Sequence, residues 1–148
     1  KAVLYFLILE QEEKSIHNDL TEQQIQPEEQ PKQYFIRMLQ QAITSLEQNP
    51  LVRELLIGHQ LTRIIASLPE EIVANHITKD DESFISLIHH WQENGLNFTK
   101  EPPIVAASLR SLFLLTTHRK EIGKQHYDKT IELFIHALAD ALIEERSS

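Results

Sequence analysis

The chain has 148 residues, 41% of them hydrophobic and 24% charged, which is enough for one domain with a real core and too little for two. Fourteen Lys and Arg against 22 Asp and Glu leave a formal net charge of -8, so this stretch repels a phosphate backbone and is excluded as a direct DNA binder. Cys is absent, which excludes a disulfide framework and thiol chemistry and suits a reducing cytoplasm.

The one long apolar run, Ala2 to Leu9, falls far short of the roughly 18 to 20 residues that span a bilayer, and Lys1 alone makes a poor signal-peptide head. No membrane partner is expected. Because the chain begins inside an apolar pattern with no cap or turn before it, it reads as part of something longer. Three Gly and six Pro leave few places to turn, and the apolar residues between them recur at helical spacing, so the fold class is all-α.

In chain order, a first helix is expected over 2–17, followed by a mobile loop over 18–30, where "NDLTEQQIQPEEQP" is poor in apolar residues and carries two prolines. A helical core over 31–148 follows. After Pro31, the residues Phe35, Met38, Leu39, Ala42, Ile43 and Leu46 make one stripe at spacings of three and four. Asn49-Pro50 is a start signal for the next helix, whose stripe is Leu55, Leu56, Ile64, Ile65 and Leu68, with a kink or break expected at Gly58. Pro69 with Glu70 and Glu71 opens a short helix over Glu70 to Thr78. Asp80 and Asp81 open another, lined by Phe84, Leu87, Ile88 and Trp91 and stopped at Gly95.

After Pro102-Pro103, a helix over Ile104 to Ile122 is apolar on nearly every side and closes at Gly123. Such a helix must be covered all round, by the core or by a second chain. Val105, Leu109, Leu112, Phe113 and Thr116 form one stripe, and Ala106, Arg110, Leu114 and Thr117 form the adjacent one, so one can face the core and the other a partner, the alternative being that this chain's other helices cover both. The last helix, over Tyr127 to Ile143, carries Tyr127, Ile131, Phe134, Ile135, Leu138 and Leu142, with Ala137 and Ala141 beside them as small residues that admit a facing helix. These two helices are expected to pair with their copies as a dimeric four-helix bundle, the interface being Ala106, Arg110, Leu114, Thr117, Tyr127, Ile131, Phe134, Ile135, Leu138, Ala141 and Leu142. No repeat occurs at solenoid periods, which leaves a single irregular bundle of about six helices.

The segments "SLEQNPLVRELLIG", "HHWQENG", "LRSLFLLTTHRKEIG" and "YDKTIELFIHAL" together resemble the C-terminal domain of bacterial TetR-family transcriptional regulators, over about Pro31 to Ile143. The resemblance implies a TetR C-terminal-domain-like bundle that dimerises and holds a small-molecule inducer. It implies that Ala2 to His17 is the helix connecting this domain to an N-terminal helix-turn-helix module, and that this module lies upstream and is missing here. Operator DNA would then be contacted only through that module, and the inducer, apolar or amphipathic, would relieve DNA binding by a repressor. A stand-alone helical module for protein–protein interaction is the alternative.

An inducer site is expected between the helices that do not dimerise, lined by Tyr34, Phe35, Met38, Phe84, Ile88, Trp91, Leu112 and Phe113, with His59, Arg63 and His89 as polar contacts. No cofactor or metal is expected. His89 and His90 with Glu93 point in different directions from a helix, no Cys supports them, and the Glu-x-x-His pairs of a di-iron bundle are lacking. A phosphate loop, a nucleophile elbow and a His-Glu-x-x-His motif are all absent, so no enzyme is expected, and His118 to Glu121 reads as helix-end charge.

Overall fold

The computed structural model describes residues 2–57 and 60–144, and it is all-α. Eight helices follow one another among the described residues: α1 (Ala2–Glu22), α2 (Pro31–Gln48), α3 (Pro50–Ile57), α4 (Gln60–Ser67), α5 (Glu70–Glu93), α6 (Pro102–Thr116), α7 (Arg119–Ile122) and α8 (Tyr127–Leu142). The expected break at Gly58 and the side chains of Leu55 and Leu56 lie outside the described residues.

α1 runs on past His17 to Glu22, because Leu20 continues the buried series Phe6, Leu9 and Ile16 and no Gly or Pro intervenes before Pro27. The loop that follows is shorter than expected and is tied down. Arg37 grips Glu29 through both Nε and Nη2 at 2.8 Å and donates to the Gln24 carbonyl, while the Tyr34 hydroxyl donates to the Gln23 carbonyl at 2.8 Å. The bidentate Arg37 contact holds the Glu29 carboxyl below its usual range. α2 then starts as expected, with Pro31 in its first turn and the Gln30 N–H donating to Gln33 Oε1 at 3.2 Å.

α5 is one continuous helix where two were expected. Asp80 and Asp81 carry no start: with no Gly or Pro between Glu70 and Gly95, the helix passes straight through them, and Arg110 of α6 pairs with both. The apolar helix, expected to reach Ile122, ends at Thr116. The Thr116 and Thr117 hydroxyls donate back to the Phe113 and Leu114 carbonyls, and the chain re-enters helix only for the single turn of α7. Gly123, at φ +106°, supplies the left-handed turn into α8.

α2 packs against α1, α3 and α8, while α5 packs against α1 and α6, and α6 against α8. Tyr34, Phe35, Met38, Ile88, Leu96 and Val105 are completely enclosed where these faces meet. Phe35 stands edge-on to both Trp91 and Phe98, with ring centroids 5.5 and 5.8 Å apart. The α5–α6 loop closes on the end of α8. Phe98 and Ile143 form an antiparallel bridge, Thr99 N–H donates to the Leu142 carbonyl at 2.8 Å, and Glu144 N–H donates to the Asn97 carbonyl at 2.9 Å.

The Asn49-Pro50 signal acts as read. Asn49 Oδ1 accepts from the Leu51 and Val52 N–H groups at 3.0 and 3.3 Å, and its Nδ2 donates to Glu12 of α1. Asn49→Ala is expected to lower stability by about 1 kcal/mol in urea melts, because it leaves the α3 amides uncapped.

Candidate functional site

Four helices turn the same stripe toward one cavity of about 120 Å³. α1 contributes Glu13, Ile16, His17 and Leu20, and α2 contributes Leu39, Ala42, Ile43 and Leu46. α5 contributes Asp80, Ser83, Phe84, Leu87 and Trp91, and α6 contributes Leu109, Leu112 and Phe113. Each set is spaced at three and four, so each is a single helix face. The space holds several waters or a small organic group, since one water needs only about 10–15 Å³ by the same kind of measure.

The lining is apolar except for Glu13, His17, Asp80 and Ser83. These four also border an outer groove with Glu10, His76 and Lys79, so they form the wall between cavity and solvent. His17 Nδ1 lies 3.1 Å from the Ser83 hydroxyl, and burial, with His90 nearby, holds its imidazole below the usual pKa. Glu13 is pushed up to about 8, chiefly by burial and then by the neighbouring charges of Asp80 and Glu10, so it keeps its proton at neutral pH. Burial also raises Asp80, against the opposing pull of His76 and Arg110. The wall therefore offers a carboxylic acid that can donate, a neutral imidazole and a hydroxyl, a set suited to holding the polar end of an otherwise apolar ligand.

Of the residues expected to contact an inducer, Phe84, Trp91, Leu112 and Phe113 line this cavity. Tyr34, Phe35, Met38 and Ile88 do not; they are packed in the core with no exposed surface. Arg63 is exposed on α4, His89 is exposed on α5 beside Gln92, and His59 lies outside the described residues. Sequence reasoning missed the α1 wall and the Leu39 to Leu46 face of α2 as lining. A signal for the wall was available: in the series Phe6, Leu9, Glu13, Ile16, Leu20, a carboxyl occupies a position that the stripe reserves for the core.

The residues expected at a dimer interface fall into three groups. Ala106 of α6 and Tyr127, Ile131, Ile135 and Leu142 of α8 are buried within this chain, where α8 packs against α2 and α6. Leu138 packs partly into the same core, Thr117 is half-buried, and Arg110 is engaged with Asp80 and Asp81. Leu114, Phe134 and Ala141 are exposed, together with Ile104 and Ala107 of α6 and Leu133 and Ala137 of α8. In the HRKE run, Arg119 pairs with Glu47 and lies over the Tyr127 ring, 4.4 Å from its centroid. That contact fastens α7 to α2 and α8.

No family model matches the chain, and no curated protein or solved structure matches it either.

The raised pKa of Glu13 makes stability depend on pH. Both folded and unfolded chains hold this proton below the ordinary value of 4.5, and only the folded chain holds it between 4.5 and about 8, so the contribution to stability falls as pH rises through that window. In EDTA-containing buffer, Glu13→Gln is expected to match the parent chain at about pH 4 and to exceed it by up to about 5 kcal/mol at about pH 9, read from urea melts.

Proposed function

We propose that the chain is the effector-binding and dimerising part of a TetR-like transcriptional regulator, a repressor whose hold on DNA a small apolar ligand releases. The observation that carries this reading is the cavity itself, and in particular that α1 forms one of its walls through Glu13, Ile16, His17 and Leu20. A ligand that fills the space presses on the helix which, in such regulators, leads to the DNA-reading module. Its leverage is set by how much better it binds one position of α1 than another, typically a coupling of about 1–3 kcal/mol.

Exposed apolar side chains support the dimer. Ile104 and Leu114 on α6 are 53% and 50% exposed, and Leu133 and Phe134 on α8 are 66% and 41% exposed, on two helices that pack side by side. Ala107, Ala137 and Ala141 lie among them and would let a facing helix come close. The formal charge of -8 leaves DNA contact to another module.

Trp91 is the one Trp in the chain and lines the cavity, so its fluorescence reports what enters. Titration with iodobenzene, an apolar probe of a size the space admits, is expected to quench Trp91 by heavy-atom contact, and Ala42→Phe, which fills the space, is expected to abolish saturable uptake. Uptake unchanged in that variant would remove the sensing role and leave the stand-alone interaction module. Sedimentation is expected to give a dimer, and Leu133→Glu combined with Phe134→Glu is expected to give a folded monomer.

A further inference from the structure

We propose that Glu13, His76 and Asp80 form a binding site for a divalent transition-metal ion of the Zn²⁺ type, joining α1 to α5. One ligand atom from each of the three lies within 4.8 Å of the other two, and all three residues are half-buried. His76 Nε2 is already 3.7 Å from Glu13 Oε2. Adjacent ligands around a tetrahedral ion bound at about 2.0–2.2 Å sit only slightly closer than that, so small side-chain rotations complete the set.

The second observation is how the imidazole is held. His76 Nδ1 lies 3.0 Å from Glu10 Oε1, a carboxylate that takes the ring N–H there, so in the neutral imidazole the Nε2 lone pair is turned to Glu13, and the Phe6 ring stands edge-on against the imidazole at 4.7 Å between centroids. A carboxylate behind the remote ring nitrogen is the arrangement that fixes the tautomer and orientation of a metal-bound histidine. Glu10 is in this sense a positioning residue. The outer groove lined by Glu10, Glu13, His76 and Asp80 gives the ion a path in and leaves room for a water as fourth ligand.

Sequence register points the same way. Glu13 stands at a core position of the α1 stripe, and His76 and Asp80 continue back along α5 the stripe of Phe84, Leu87 and Trp91. Two helices thus bring polar residues to facing positions that packing alone would fill with apolar ones. A nitrogen with two carboxylates, Glu13 releasing its proton to solvent as the ion takes its place, suits Zn²⁺ and its neighbours, while Ca²⁺ and Mg²⁺ prefer all-oxygen shells with more ligands. The expectation that no metal binds came from weighing His89, His90 and Glu93 and the Glu-x-x-His pairs of a di-iron bundle, and neither pattern covers a Glu on α1 facing His76 and Asp80 on α5.

The test is calorimetric titration of the chain with ZnCl₂ near neutral pH, with Co²⁺ as a spectroscopic stand-in. One saturable ion per chain is expected, with Co²⁺ giving a visible absorption band and ZnCl₂ raising Tm. His76→Asn and Asp80→Asn are each expected to weaken binding at least about ten-fold, and Glu10→Gln by about ten-fold with the stoichiometry kept. Circular dichroism checks that each variant is folded, and the Co²⁺ band of the parent chain stands without them. Absence of saturable uptake, equal uptake of Mg²⁺, uptake undiminished when His76→Asn and Asp80→Asn are combined, or loss of uptake in His89→Ala/His90→Ala would each overturn the proposal.

Discussion

The structure depends on the complete desolvation of one face of α2. Tyr34, Phe35 and Met38 have no exposed surface, and each such side chain contributes roughly 1.5–3 kcal/mol when fully buried, so α1, α5 and α8 are drawn onto the same helix from different sides. Burial of Tyr34 brings a polar obligation with it. Its hydroxyl meets that obligation at the Gln23 carbonyl, which pulls the α1–α2 loop inward to where Arg37 can hold Glu29. Farther along, the same face changes to Leu39, Ala42, Ile43 and Leu46, and the small side chain of Ala42 helps to leave space that the neighbouring helices do not fill. Core and cavity are consecutive turns of one stripe.

The class of fold, the start of α2, the Asn49 cap and the α8 stripe were legible in the sequence because each rests on local chemistry: a proline in the first turn, an Asx side chain before a proline, an apolar period of three and four. Failures came where distant residues decide. Asp80 and Asp81 have the composition of a helix start, yet Arg110 holds them in mid-helix. Tyr34, Phe35, Met38 and Ile88 have the composition expected of a pocket, yet none of them lines the cavity, and no local rule separates a packed aromatic from one that lines a void. Of the cavity itself, Phe84, Trp91, Leu112 and Phe113 were legible as large side chains on opposed faces; its α1 wall was marked only by Glu13 at a core position of the α1 stripe.

That wall gives α1 a character unlike the other helices. An apolar contact between α1 and α5 would be indifferent to conditions, whereas Glu13, His17, His76 and Asp80 place titratable groups at the junction, where desolvation penalises every charge left uncompensated. Whatever neutralises them, whether a proton, a cation or a ligand group, tightens the junction. α8 has the opposite character: its inward stripe is apolar, Gln40 and Glu132 join it to α2, and its far end is fastened to the α5–α6 loop. One edge of the bundle is chemically responsive and the other is fixed.

The bridge between Phe98 and Ile143 has a consequence for how the chain tolerates change in length. Surface connections ordinarily accept inserted residues, because nothing but loop entropy registers the difference. The α5–α6 connection is held in register by the Thr99 amide on Leu142, the Asn97 carbonyl on Glu144 and the Phe98 ring on Phe35 and Trp91. One added residue between Gly95 and Thr99 would turn Phe98 out of the aromatic cluster and unpair the end of α8 together. Relatives that differ in length should therefore carry their insertions elsewhere, with Asn97 to Thr99 acting as a fixed ruler between α5 and the end of the last helix.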